Sequence, residues 1–125
     1  PLDIVEGLNF LREGGLVSLT GDRVWSREQR TVAVRFAGAH ARIPETPFVL
    51  ALMSGAPILI FFAYRTRGGV YRMITLPPLT VQAAARAERA AAIAAAAQTY
   101  ADTLEATVRA HPFEWYHFEP FLDDE

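Results

Sequence analysis

Gly14-Gly15-Leu16-Val17-Ser18-Leu19-Thr20-Gly21-Asp22-Arg23 is the stretch on which the reading of this chain turns. A short apolar run, residues 16–20, lies between glycines, the pattern of a buried strand entering a loop. An acid and a base, Asp22 and Arg23, stand at its end. Ligands of open α/β sheets commonly bind in loops at the carboxyl ends of strands, so this loop is the first candidate site. Downstream, Pro57-Ile-Leu-Ile-Phe-Phe-Ala-Tyr64 is apolar on both alternating faces, which predicts a central strand covered on both sides. Together with residues 31–36, which alternate as a strand does, these segments are expected to share one sheet with the Asp22-Arg23 loop at its edge.

Working outward, residues 4–11 carry Ile4, Val5, Leu8 and Leu11 at helical spacing. Asp3 is placed to cap that helix and Gly14-Gly15 to end it. Thr46-Pro47 reads as another start, a capping hydroxyl with Pro in the first turn, and Gly55 as its stop. Arg67-Gly68-Gly69 turns the apolar strand back into residues 70–76, a hairpin. Pro77-Pro78 then blocks further pairing. Residues 81–110 contain no helix breaker and are rich in Ala, the best helix former. Ile93, Ala97, Tyr100, Leu104 and Val108 form the expected inward stripe. Pro112 ends that helix ahead of an aromatic tail of Phe113, Trp115, Tyr116, Phe118 and Phe121. The tail either faces lipid or seals the end of the sheet.

Composition narrows the classes. At 125 residues and 51% hydrophobic content the chain is read as a single domain, residues 1–125, large enough to bury a core. A net charge of −2 argues against a general nucleic-acid binder. There is no Cys, hence no disulfide, thiolate metal site or cysteine nucleophile, and no metal is assigned. No apolar run reaches the roughly 18 residues that span a bilayer. All twelve basic residues are Arg, as in proteins of GC-rich genomes. The chain starts at Pro1 and enters a helical pattern at once, as expected of the C-terminal portion of a longer protein.

Between Gly21 and Arg42, Arg23, Arg27, Arg30, Arg35 and Arg42 oppose only Asp22 and Glu28, a local excess of three positive charges. Guanidinium groups grip phosphate and carboxylate through paired donors, so an anionic ligand or lipid headgroup fits; a solvated loop with ion pairs explains the same charges. Asp22 can orient a base or an acceptor hydroxyl, or simply cap a turn. His40 lies five residues before Glu45, but Pro44 implies an extended segment in which the two face apart. His111 fits a helix C-terminus, where the dipole favours an imidazolium. His117 reads as structural, and Ser18 and Ser54 lack a nucleophile-elbow context.

Taken in order, residues 14–23, then Val34-Arg-Phe-Ala-Gly38, Ala41-Arg-Ile-Pro44, Pro47-Phe-Val-Leu-Ala51 and Ser54-Gly-Ala-Pro-Ile58 resemble the bacterial lipid A biosynthesis (lauroyl/myristoyl) acyltransferases, within the lysophospholipid acyltransferase superfamily. Tyr100-Ala-Asp-Thr-Leu-Glu105, His111-Pro-Phe-Glu-Trp115 and Phe118 resemble that family's C-terminus. The resemblance implies an α/β fold, with a mixed, mostly parallel sheet and helices on its faces. It implies transfer of a fatty acyl group from acyl carrier protein (acyl-ACP) or coenzyme A (acyl-CoA) to a lipid or sugar hydroxyl, with no cofactor. It also implies peripheral association with the cytoplasmic face of the bacterial inner membrane. The family's catalytic histidine lies in an HxxxxD motif upstream of the Asp-Arg block, and this chain contains no HxxxxD. The resemblance therefore makes Asp22 and Arg23 catalytic contributors on the acceptor side, Arg27, Arg35 and Arg42 anion contacts, and the histidine a contribution of another part of the enzyme. A non-catalytic α/β module that binds anionic lipid or acyl carrier protein fits the same residues, as does a purely structural half of a sheet.

Overall fold

The computed structural model describes residues 4–123. The elements in order are α1 (Ile4–Arg12), β1 (Thr31–Phe36), β2 (Ala39–Pro44), α2 (Thr46–Ser54), β3 (Phe61–Arg65), β4 (Tyr71–Thr75), a 3-10 turn (Arg86–Glu88) and α3 (Arg89–Ala110). Asp3, the expected cap of α1, lies outside the described residues. Gly14, with φ 87°, follows α1 as its sequence promised.

The mostly parallel sheet does not form. Two separate two-stranded antiparallel sheets stand in its place, β1–β2 and β3–β4. Short connections dictate this, because parallel strands need a crossover of a dozen residues or more. Ala37 (φ 52°) and Gly38 (φ 85°) are both left-handed, the hairpin-favoured geometry, and they fold residues 39–44 back as a strand the sequence had not marked. The second hairpin follows expectation, pairing Phe61 with Thr75 through Arg65 with Tyr71.

Residues 16–20 form no strand. Among the described residues the backbone of residues 16–19 exchanges no hydrogen bond. The three apolar segments therefore do not share a sheet. Residues 57–64 are also not covered on both sides. Ile60 is 5% exposed, whereas Leu59 and Phe61 on the other face are 57% and 52% exposed. A run apolar at every position reports hydrophobicity and not what covers each face.

The core lies between the β1–β2 hairpin, α2 and α3. Val34, Phe36, Ala41, Ile43, Phe48, Ala51, Ile93, Ala97 and Leu104 meet there. The expected stripe of α3 holds, with Tyr100 and Val108 half-buried at its margins and Ala96 and Ala101 added to it. The helix begins later than residue 81. Leu79 is held in a bridge to Ile58 and Val81 is buried in the core, so packing overrides Ala propensity until the Glu88 carboxylate accepts the Ala84 and Ala85 amides. Thr46 is the first residue of α2 and not its cap; Glu45 caps it without a side-chain bond, and Pro47 sits in the first turn.

α3 also closes the free edge of β1. The Arg35 N–H donates to Gln98 Oε1 at 2.9 Å, and Gln98 Nε2 donates back to the Arg35 carbonyl at 3.0 Å. Two turns along, Glu105 Oε2 accepts the Ala37 N–H at 2.7 Å, holding the strained turn. That bond, with Arg109 alongside, lowers the Glu105 pKa below its ordinary value of 4.5.

Candidate functional site

The Asp22-Arg23 loop lies on the aromatic tail and not at a sheet edge. Trp115 Nε1 donates to Asp22 Oδ2 at 2.8 Å, and the His117 ring lies 3.2 Å from the Asp22 carbonyl through Nε2. Arg23 Nη2 donates to the Tyr116 carbonyl at 3.0 Å, and its guanidinium carbon stands 5.3 Å from the centre of the Trp25 ring. The tail itself is anchored. Trp115 and Phe121 pack on Phe36 at 5.7 and 5.0 Å, and residue 122 bridges to Ala41 in β2. Glycine at position 21 lets the loop lie directly against the Tyr100 ring, which a Cβ there would displace. Burial raises the Tyr100 hydroxyl pKa, and the nearby Asp22 carboxylate raises it further. Tyr100 is thus an uncharged phenol beside an acid.

Three ion pairs form among the described residues: Arg30 with Glu45 at 2.8 Å, Arg42 with Asp123 at 3.7 Å, and Glu105 with Arg109 at 2.7 Å. Arg23 is in none of them. Its guanidinium faces a neutral carbonyl and an indole ring, with donors to spare. That arrangement can bind phosphate or carboxylate through paired hydrogen bonds. Arg27 is exposed in the adjoining loop. Arg35 and Arg42 project from the outer face of the β1–β2 hairpin, opposite the face that carries Phe36 to Trp115. The structure therefore joins Asp22 to Arg23 and sets Arg35 and Arg42 apart from them.

Glu45 is committed to Arg30, so His40 and Glu45 do not act as a pair. His111 caps the end of α3, its backbone N–H donating to the Thr107 carbonyl, and its ring stacks on Tyr64 at 3.8 Å between ring centres. Ser54 Oγ donates to the Leu50 carbonyl, as a helix-end hydroxyl does. The residues that hold the site, Tyr100, Trp115 and Tyr116, were read from sequence as core or tail. Only the period-two alternation of the tail could have marked Trp115 and His117 as facing one way.

Beside the loop runs an apolar groove of about 280 Å³. Residues 16–19 form one wall, and Leu50, Ala51, Ile58 and Phe61 line the rest. Among the described residues, no group of His, Asp or Glu could hold a metal, and no helix is long and apolar enough to cross a membrane. The family described as bacterial lipid A biosynthesis acyltransferase matches residues 3–122 of this sequence. No curated protein matches the chain.

Proposed function

We propose, because this chain belongs to the bacterial lipid A biosynthesis acyltransferase family, that it forms the acceptor side of an enzyme moving a fatty acyl group from acyl-ACP or acyl-CoA to a lipid or sugar hydroxyl. One observation carries the reading: Arg23 is fixed beside Asp22 with no carboxylate partner and with free donors. Arg23 binds an anionic group of the acceptor, and Asp22, held by the Trp115 indole, orients the reacting centre. Arg27, Arg35 and Arg42 add positive charge that draws in an anionic acceptor. A histidine of the HxxxxD type, supplied by another part of the enzyme, takes the acceptor's hydroxyl proton. The alkoxide oxygen attacks the thioester carbonyl, the C–S bond breaks, and the proton passes to the departing thiolate. The reaction takes place at the cytoplasmic face of the inner membrane.

Residues 16–19 support the division of labour. Their backbone donors and acceptors, unpaired among the described residues and beside an apolar groove, are open to pairing by another segment of the enzyme. The chain alone, incubated with an acyl thioester and lipid acceptors, gives no acylated product. Activity requires a polypeptide carrying the HxxxxD segment. In that active assembly, Arg23→Lys weakens acceptor use, since Lys offers a point charge in place of a fork. Asp22→Asn lowers turnover by about ten-fold or more. Turnover by the chain alone that depends on His40, or near-normal kinetics in both variants, would overturn the reading.

A further inference from the structure

The His117 ring meets a carbonyl oxygen at each of its nitrogens. Nδ1 lies 3.1 Å from the Glu119 carbonyl oxygen, and Nε2 lies 3.2 Å from that of Asp22. A neutral imidazole carries one N–H, so it serves one of these carbonyls and turns a lone pair on the other. The imidazolium carries two and serves both. The neighbouring rings suit the same form. Trp115 and Phe121 stand 5.2 and 5.1 Å from the His117 ring between centres, within the roughly 6 Å at which an aromatic ring attracts a cation.

We infer that His117 is a positioning residue for the Asp22-Arg23 loop and grips it fully only as the imidazolium, so that a proton ties the loop to the tail. The two bonds join different things. Nδ1 stays within the tail, two residues along, whereas Nε2 crosses 95 residues of sequence to reach the loop. The neutral tautomer that keeps the local bond therefore lets go of the loop. Trp115 still holds the Asp22 carboxylate through Oδ2, so what comes free is the backbone of residue 22 and not its side chain. The charged groups at this junction favour the cation. They are the Asp22 carboxylate, the exposed Glu119 carboxylate and the Arg23 guanidinium, which lies on the Tyr116 carbonyl. Asp123, at the end of the tail, is turned to Arg42, and Tyr100 against the loop is an uncharged phenol. The grip is thus complete in acid and is lost as pH rises through the range of about pH 5 to 8 in which histidines change charge. That a firmly held residue 22 serves catalysis rests on the acyl-transfer reading; the grip itself does not.

The test reads the proton and the grip separately, on the purified chain. Trp25→Phe leaves Trp115 as the remaining indole of the two in the sequence. An imidazolium beside an indole quenches its emission, so Trp115 fluorescence should fall as pH drops from about 8 to 5. Adding His117→Gln should remove that step, with His40 and His111 unchanged in both proteins as internal controls. Melting reads the grip. The parent should gain roughly 3–6 °C over His117→Gln as pH goes from about 8 to 5, the worth of one charge-assisted bond in a domain of this size. Nitrogen NMR of the parent needs no variant, and in acid it should show both N–H groups of His117 protected from exchange with water. An emission step that survives His117→Gln, a melting difference that ignores pH, or protection at only one nitrogen in acid would overturn the inference. No step of the test reads turnover. A failure here therefore leaves the acyl-transfer reading standing, and a pH step intact in an assembly that transfers no acyl group sinks that reading alone.

Discussion

A side chain at position 21 would place its Cβ 2.6 Å from Tyr100 Cζ and 2.7 Å from the hydroxyl. Tyr100 has no retreat, being wedged against Phe48 and Phe62 at 6.4 Å each. Gly21→Ala should therefore lift the loop from the tail, cost roughly 1–3 kcal/mol, and change Trp115 emission as its bond to Asp22 breaks. Gly15 makes a useful control. A Cβ there would meet the Phe10 ring at 2.5 Å, but Phe10 is exposed and can swing away, so Gly15→Ala should melt nearer the parent. Tyr100 also makes a prediction in alkali. Its pKa is raised in the folded state, so its contribution to stability is complete below the unfolded value of 10.0 and is lost as pH climbs above it. Absorbance titration should reveal a phenol whose ionisation accompanies unfolding. Tyr100→Phe should remove that phase and move alkaline unfolding to higher pH; a phase that persists in the variant would refute the assignment.

The two faces of residues 57–64 differ, and neighbouring positions can show it. Ile60→Asp puts an unpaired charge into the core and should unfold the protein, whereas Leu59→Asp on the open face should melt near the parent. Equal effects would mean that both faces are covered, as the apolar run alone had implied. The β1–β2 turn yields a second comparison. Ala37 is left-handed, which costs an alanine roughly 1–2 kcal/mol, so Ala37→Gly should lose little or even gain stability. Glu105 clamps that turn with a lowered pKa, so its contribution is present above its ordinary value of 4.5 and is lost as pH falls below it. Glu105→Gln should thus melt lower than the parent near neutral pH and approach it in acid. At this scale the helices were legible, because Pro47, Gly55, Gly14 and the Ala stripe act locally. β2 was not, since its turn begins with Ala37, a residue that gives no hint of a left-handed conformation.

For the molecule as a whole, the sequence pointed at Asp22 and Arg23 and the structure supplies their surroundings. No local pattern could have done so, because Trp115 and Tyr116 lie more than ninety residues away along the chain (93 in each case). Charge density, too, is a local measure. It grouped Arg35 and Arg42 with Arg23 by nearness in sequence, while strand alternation sends them to the other side of a hairpin. The partnering of strands was equally out of reach, since apolar runs do not announce which edges will be covered. Gln98 covers one of them. Its amide takes both polar groups of Arg35 and acts as a strand one residue long. Seen against protein homeostasis, that amide is a guard against aggregation. Gln98→Leu suits a helix and packs well, but it bares a rung of backbone on which a second molecule can stack. A protein that still melts normally would then form thioflavin-positive fibrils on standing, a failure of solubility caused by the loss of one side chain and not by any loss of stability.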